Sequence, residues 1–277
     1  MIIPGSDSQE LAAALAAELD ESLVAVEYER FADGEMLVRI PETDDRAIVV
    51  ASTVSDAAHV QLLQLQDAAR QCAENVITVL PYMGYGRQDE AFEPGQPVSA
   101  RAMARAISTG TDRVLTVNPH EEAITDFFDV PCSSVDAAGR LAEPLSDLSE
   151  PLFLSPDSGA IDLAETVRNA YGEGETDYFE KVRHSDTDVE IRPSDATTTG
   201  RDVVLVDDII ATGSTMSTAI EQLSDPERVF VTCVHPMLAA NARTKLSNAG
   251  VNAVYGTDTI ERAVSAVSVA PTIADAI

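Results

Sequence analysis

The stretch Val203-Val204-Leu205-Val206-Asp207-Asp208-Ile209-Ile210-Ala211-Thr212-Gly213-Ser214-Thr215 restricts the fold more than any other part of this chain. Four consecutive branched apolar residues without alternation predict a strand buried on both faces, as in a parallel sheet, and the spacing over residues 217–223 predicts a helix. Thr212, Gly213, Ser214 and Thr215 are small, hydroxyl-bearing or permissive at positive φ, so their amides can wrap an anion at that helix's N-terminus. Asp207 and Asp208 stand where the strand is expected to stop. Carboxylates beside an anion site need something else to hold, such as sugar hydroxyls or a bound cation. A ribose phosphate supplies both kinds of group. An ordinary strand-turn-helix with solvated acids accounts for fewer of these coincidences.

The chain's 277 residues suffice for one large or two ordinary α/β domains. With no Trp and few aromatics, their cores must come from Val, Ile, Leu and Ala. Its 47 acids outnumber 18 bases, for a net charge of -29, and the only lysines are Lys181 and Lys245. Such a chain repels a nucleic-acid backbone or an anionic membrane, so neither is expected as a partner. Because the acids are spread along the chain, a surface suited to high salt explains them better than a disordered tail. At molar salt the screening length falls to about 3 Å, which removes most of their self-repulsion. A halophilic source is therefore expected. Cys72, Cys132 and Cys233 have neither disulfide nor zinc spacing, and read as buried thiols in a reducing cytoplasm. The start lacks a basic signal-peptide region, and no apolar run approaches a membrane span.

Taken in order, residues 2–3 begin a strand and a helix capped by Ser or Asp ends near Asp20. Strands follow over 22–30 and 36–40, joined hairpin-fashion by Phe31-Ala32-Asp33-Gly34-Glu35. A buried strand over 47–52 leads to a helix capped by Asp56 and running through Cys72. The strand over 75–80 ends in Pro81-Tyr82-Met83-Gly84-Tyr85-Gly86-Arg87-Gln88-Asp89, on the side of a parallel sheet where open α/β folds place their ligands. Arg87 and Gln88 can bond phosphate or base edges, and the glycines permit close backbone approach. A helix starts at Ser99. The strand over 113–117 leads to Asn118-Pro119-His120-Glu121-Glu122, where His120 is a candidate metal or phosphate contact. Strands are expected over 126–130 and 133–135.

From Asp136 the order repeats, with a helix to Leu145, a strand over 152–154, and Ser155-Pro156-Asp157-Ser158-Gly159-Ala160 opening a helix through Asn169. That loop reads as a second anion nest with one carboxylate, suited to a magnesium-bound diphosphate. Alternation puts Lys181 and Arg183 on one face of an extended segment within a polar, mobile loop. A strand over 189–192 and a polar turn over 194–200 follow. Beyond the central stretch come strands over 229–233 and 251–255, a helix over 240–249 and a last segment from Ala263 to Ile277.

FADGE (31–35), PYMGYGRQD (81–89), PGQPVSA (94–100), NPHE (118–121), SPDSGA (155–160), EKVRHSDTDVEI (180–191) and DDIIATGST (207–215) occur in the order found in the ribose-phosphate diphosphokinases, or PRPP synthetases. The chain resembles that family over nearly its whole length. Type I phosphoribosyltransferases share only the loop around Asp207. The resemblance implies two tandem phosphoribosyltransferase-like α/β domains, each a mostly parallel sheet flanked by helices. Residues 1–137 would form the ATP side and 138–262 the ribose 5-phosphate side, with about 263–277 packing on the first. It implies transfer of the β,γ-diphosphoryl group of ATP to the 1-hydroxyl of ribose 5-phosphate, for nucleotide, histidine and tryptophan biosynthesis.

Residue by residue, the resemblance implies that Arg87, Gln88 and Asp89 bind ATP, with Phe31, Asp33 and Glu35 reaching the adenine of a neighbouring subunit's nucleotide. The partner is then a second copy of the chain, in at least a dimer. His120 and Asp157 would hold Mg²⁺. Asp207, Asp208, Ala211, Thr212, Gly213, Ser214 and Thr215 would form the ribose 5-phosphate loop, and Lys181 and Arg183 would be catalytic, closing over the transferring group. Asn118 replaces an acid common in the family and lowers the charge of that metal site. Ala211 replaces a loop acid and Ser214 a glycine, which bears on ribose contact and on room in the nest. A phosphoribosyltransferase needs only one such unit plus a hood, which leaves the Arg87 and Lys181 loops without a task. A regulatory paralogue would be expected to lose Lys181, Arg183 or His120.

Overall fold

The computed structural model describes residues 1–41, 44–183, 189–193 and 196–277, without the side chains of 181–183 and 189–193. Residues 184–188 of the EKVRHSDTDVEI stretch, and 194–195 of the expected polar turn, lie outside the described residues. The chain divides into two compact units. One is Met1–Asp136 with Asp258–Glu261 and Ser268–Ile277, and the other is Ala137–Thr257 with Arg262–Val267.

The first unit runs β1 (Ile2–Pro4), α1 (Gln9–Leu19), β2 (Glu27–Arg30), β3 (Met36–Arg39), β4 (Arg46–Val50), α2 (Asp56–Cys72), β5 (Asn75–Leu80), α3 (Ser99–Ser108), β6 (Arg113–Val117) and β7 (Cys132–Val135). Strands β1-β4-β5-β6-β7 form a parallel sheet, and β2 and β3 pair antiparallel as the expected hairpin. Apolar runs without alternation become strands covered on both faces: Ala47, Ile48, Val49 and Val50 are fully buried. Leu62, Leu65 and Ala69 of α2 pack into the same core at helical spacing.

Two expected caps are corrected. Ser55, not Asp56, caps α2, its side chain accepting from the Ala58 amide at 3.2 Å, while Asp56 sits in the first turn where the helix dipole favours an acid. Ser8 precedes α1, but its hydroxyl accepts from the Ser52 amide at 2.9 Å and makes no cap bond. The strand expected over 126–130 is instead a 3₁₀ turn, Glu122–Phe127. Ile124 and Phe128 are buried while Asp126 between them is exposed, which strict alternation would not allow.

The second unit runs β8 (Leu152–Ser155), α4 (Ile161–Tyr171), β9 (Glu175–Arg183), β10 (Val189–Pro193), β11 (Asp202–Ile209), α5 (Ser214–Glu221), β12 (Arg228–His235), α6 (Ala242–Asn248), β13 (Ala253–Thr257) and β14 (Ser265–Val267). The last helix, α7 (Ala270–Ala274), belongs to the first unit. The seven-stranded sheet has the order β10-β9-β8-β11-β12-β13-β14, parallel except for the β9–β10 pair. Its centre is β11, where Val203, Val204, Leu205 and Val206 are fully buried. Full burial of such side chains contributes about 1.5–3 kcal/mol each.

Four departures from expectation in this unit exceed two residues, and in the first unit the strand expected over 22–30 is confined to Glu27–Arg30. The helix expected over 136–145 shrinks to the 3₁₀ turn Ala138–Ala142, in a stretch holding Gly139 and Pro144, both poor in helix interiors. Strand β11 continues through both acids to Ile209, because β12 runs beside it to His235 and keeps its backbone groups paired. Helix α5 starts at Ser214, three residues earlier than the spacing suggests, because Gly213 turns the chain in the left-handed region at φ 72°. The expected loop holding Lys181 and Arg183 is strand to Arg183, with Lys181 paired to Ile191 and Arg183 to Val189 on β10. The β-branched Val182, Val189 and Ile191 suit such a pair.

Candidate active site

In the second unit the sugar-side candidates follow directly from the end of β11. Asp207 is opposite Cys233 on β12 and Ile209 opposite His235, so both acids are held on the most buried strand pair of the sheet. Burial pushes the Asp207 carboxyl up to about 8, with the charge of Asp208 and, more weakly, of Asp157 acting in the same sense. Burial also raises the Cys233 thiol, and Asp207 adds to that shift. Asp207 and Asp208, adjacent at the end of the strand, can accept from hydroxyl groups. Beyond them the chain turns at Gly213, where a Cβ would meet Cα and the carbonyl oxygen of Ala242 at 3.3 Å. That close approach sets α6 against the start of α5. Ser214 Oγ accepts from Thr212 Oγ1 at 3.2 Å and from Lys245 Nζ at 2.8 Å. Thr212, Ser214 and Thr215 are exposed around the first turn of α5. Its leading amides lack intrahelical acceptors, as an anion site requires.

The other expected nest is smaller. Asp157 begins the 3₁₀ turn Ser158–Ala160, with Oδ1 accepting from the Gly159 amide at 3.0 Å, and Ser155 Oγ donates to the Asp157 carbonyl at 2.7 Å. One carboxylate oxygen is thus engaged by the chain.

In the first unit the loop after β5 is held from below by two hydroxyl residues. Ser52 Oγ accepts from the Tyr82 amide at 3.2 Å, and Thr53 Oγ1 accepts from the Gly84 amide at 2.8 Å. Tyr85, at φ 64°, donates its hydroxyl to Asp56. The His59 ring lies 5.4 Å from that of Tyr85, and burial lowers its pKa. Arg87 is exposed and Asp89 half-buried. Gln88 does not reach outward: its Nε2 donates to the Pro97 carbonyl at 3.2 Å and its Oε1 accepts from Ser99 Oγ at 2.8 Å. The amide therefore closes the long loop onto the start of α3. Phe31 to Glu35 are all exposed at the β2–β3 tip, where Asp33 Oδ1 accepts from the Glu35 amide at 3.1 Å. His120 is exposed and follows Asn118, which holds φ 35° and donates its amide to Asp136 at 2.8 Å.

The side chains of Lys181 and Arg183 lie outside the described residues. Among the described residues no three His, Cys, Asp or Glu side chains gather as a metal site. Cys72 and Cys132 are half-buried rather than buried, and Cys233 is fully buried. Sequence reasoning missed Ser52, Thr53 and Asp56 as loop supports, since no motif marks a hydroxyl at a strand end. It also missed the approach of Lys245 to Ser214, although the scarcity of lysine was a usable signal.

Residues 1–110 match the family model described as the N-terminal domain of ribose phosphate pyrophosphokinase, and residues 133–270 match that of the phosphoribosyl transferase domain. A ribose-phosphate pyrophosphokinase of Halobacterium salinarum is 64% identical over 281 aligned residues, with the whole of both chains covered. One from Methanosarcina mazei is 43% identical, covering 100% of this chain and 94% of its own. The crystal structure of phosphoribosylpyrophosphate synthetase from Mycobacterium smegmatis superposes with a TM-score of 0.84 at 28% identity, covering 100% of this chain and 96% of that one. The halobacterial relative supports the high-salt reading of the charge.

Proposed function

The chain belongs to the ribose-phosphate pyrophosphokinase family, and on that premise we propose how its residues divide the transfer of the β,γ-diphosphoryl group of ATP to ribose 5-phosphate. The products are PRPP and AMP. The observation that carries the division is the pairing, in one turn of chain, of the Asp207–Asp208 acids with the Thr212–Thr215 nest. Asp207 and Asp208 accept hydrogen bonds from the sugar 2- and 3-hydroxyls, which leaves the 1-hydroxyl as nucleophile. The amides at the start of α5 take the 5-phosphate. Arg87 and Asp89 contact ATP directly, while Gln88 acts by holding their loop. Phe31, Asp33 and Glu35, exposed on a hairpin tip, contact the adenine of a second copy's nucleotide, so the active form is at least a dimer.

His120 and Asp157 would hold Mg²⁺. One oxygen of Asp157 accepts from the Gly159 amide, which leaves the other to the metal. Held by His120 and Asp157, Mg²⁺ would supply the charge neutralisation that makes AMP a better leaving group. In-line attack on the β-phosphorus needs positioning and charge compensation more than covalent help. Lys181 and Arg183 supply positive charge as it builds on the transferred oxygens, an effect worth about 3 kcal/mol per donor in comparable oxyanion sites. Strand pairing with β10 gives their backbone a defined register. Exclusion of water at that stage limits wasteful ATP hydrolysis. The surroundings we infer are the cytoplasm, with no nucleic acid or membrane as partner. No helix among the described residues is long and apolar enough to cross a membrane. A phosphoribosyltransferase that consumes PRPP would have no use for the unit matched by the pyrophosphokinase N-terminal model.

The test is AMP and PRPP formation from ATP, Mg²⁺ and ribose 5-phosphate in molar KCl. Lys181→Ala should lower kcat by about 100-fold or more. A wild-type chain that releases no more AMP than Lys181→Ala would overturn these assignments.

A further inference from the structure

Lys245, one of only two lysines, stands beside the hydroxyl-rich loop. Arg39, Arg46, Arg70, Arg140, Arg201 and Arg228 pair with carboxylates, and Lys245 is among the bases that do not. Among the described residues no carboxylate pairs with Lys245, and its ammonium donates instead to the neutral Ser214 hydroxyl at 2.8 Å. A hydroxyl is a weak partner for a full charge that has so many acids to choose from.

The position of that hydroxyl explains the choice. Ser214 opens α5 immediately after the left-handed Gly213, and its Oγ also accepts from Thr212. The Lys245 charge is brought there by α6, one helical turn beyond Ala242, whose backbone lies against Gly213. The ammonium and the amides of α5 thus reach the same spot from two different elements. Helix amides alone offer only partial charges, and Asp207 and Asp208 lie just before the loop at the end of β11. A point cation on a flexible stem is the natural remedy, and the hydrogen bond to Ser214 holds it in place beforehand.

We propose that Lys245 binds the 5-phosphate of ribose 5-phosphate, supplying a full positive charge to the loop, and that Ser214 pre-positions its ammonium. The proposal rests on the reading that the Thr212–Thr215 loop takes that phosphate. Ser214 then has a task that a glycine at this position could not perform.

The experiment is steady-state kinetics in molar KCl on Lys245→Met, Lys245→Arg and Ser214→Ala, with Thr215→Asp as a control on the loop itself. Lys245→Met should raise KM for ribose 5-phosphate about tenfold, the usual effect of losing one charge-assisted bond, while kcat and KM for ATP change less than about twofold. Lys245→Arg should restore most of the affinity, and Ser214→Ala should raise KM about threefold by freeing the ammonium. Thr215→Asp should raise the same KM more than tenfold through like-charge repulsion. An unchanged KM in Lys245→Met beside a raised one in Thr215→Asp would overturn the role of Lys245 alone. An unchanged KM in Thr215→Asp would overturn the loop reading beneath it. A fall in kcat together with the thermal midpoint in Lys245→Met, not rescued by Arg, would assign Lys245 to packing and overturn the proposal.

Discussion

Gly84 and the carbonyl of Thr53 are in such close contact that a Cβ on Gly84 would stand 2.2 Å from the Thr53 oxygen, and 3.1 Å from Nε2 of the buried His59. The loop that carries Arg87 is therefore pressed onto the end of β4 and the first turns of α2, with the Gly84 amide fixed by Thr53 Oγ1 at 2.8 Å.

Gly84→Ala should accordingly displace the loop, not merely crowd it. We expect a loss of about 2 kcal/mol in stability, typical of overpacking a rigid site, and a raised KM for ATP with little change for ribose 5-phosphate. Urea midpoints and separate KM values for the two substrates check this, and equal effects on both substrates would count against it.

Asp207 makes stability depend on pH in a definite sense. Its folded carboxyl sits at about 8 against an ordinary 3.8, so the folded chain holds a proton that the unfolded chain has released. Its contribution is complete below about 4 and is lost as pH rises through about 8. The thermal midpoint of the metal-free protein should fall between pH 5 and 9. Asp208→Asn should shrink the fall without abolishing it, because burial is the larger cause. An identical slope in the variant would refute the coupling.

Asp202 opens β11 with a fully buried carboxylate that accepts from Arg228 at 2.5 and 2.9 Å and from the Ser149 amide at 2.6 Å. The guanidinium holds that carboxyl below its usual range. Arg228→Ala leaves the charge with one amide, and should lower stability. Double replacement as Arg228→Met with Asp202→Leu should recover part of the loss in chemical denaturation.

Gln88 and Ser99 close the loop after β5 through one shared hydrogen bond of 2.8 Å. If that bond is how Gln88 acts, Gln88→Ala and Ser99→Ala should each weaken ATP binding and the double variant should be little worse than the stronger single one. Additive effects would place Gln88 in direct contact with the nucleotide.

A net charge of -29 sets the response to salt. The unfolding midpoint should rise from dilute buffer to molar KCl as repulsion is screened, and a flat response would contradict the high-salt reading.

The fold was legible wherever burial alone decides it. The largely apolar, non-alternating runs of β4, β5, β6 and β11 read as strands covered on both faces, and the extents of α2, β5 and β6 agree with the residue pattern. Legibility failed at ends and turns. Whether Ser55 or Asp56 caps α2 depends on a backbone angle, and whether β11 stops at Val206 or Ile209 depends on how far β12 runs beside it. The 3₁₀ turn at Glu122–Phe127 was hidden because its aromatic run reads equally well as strand.

Identity and order of the chemical motifs belong to the sequence alone: acids before a hydroxyl-rich nest, an Arg-Gln-Asp loop, a Lys-x-Arg segment. Those are covalent facts, and they sufficed to point to the family before any coordinates. Which groups actually meet is a different kind of fact. That Lys245 reaches Ser214 across 31 positions, that Gln88 turns inward to Ser99 while Arg87 stays exposed, and that burial raises the Asp207 carboxyl follow from close packing of distant segments. Such approaches are set by the three-dimensional fit of sheet and helix, and no local pattern of residue types encodes them.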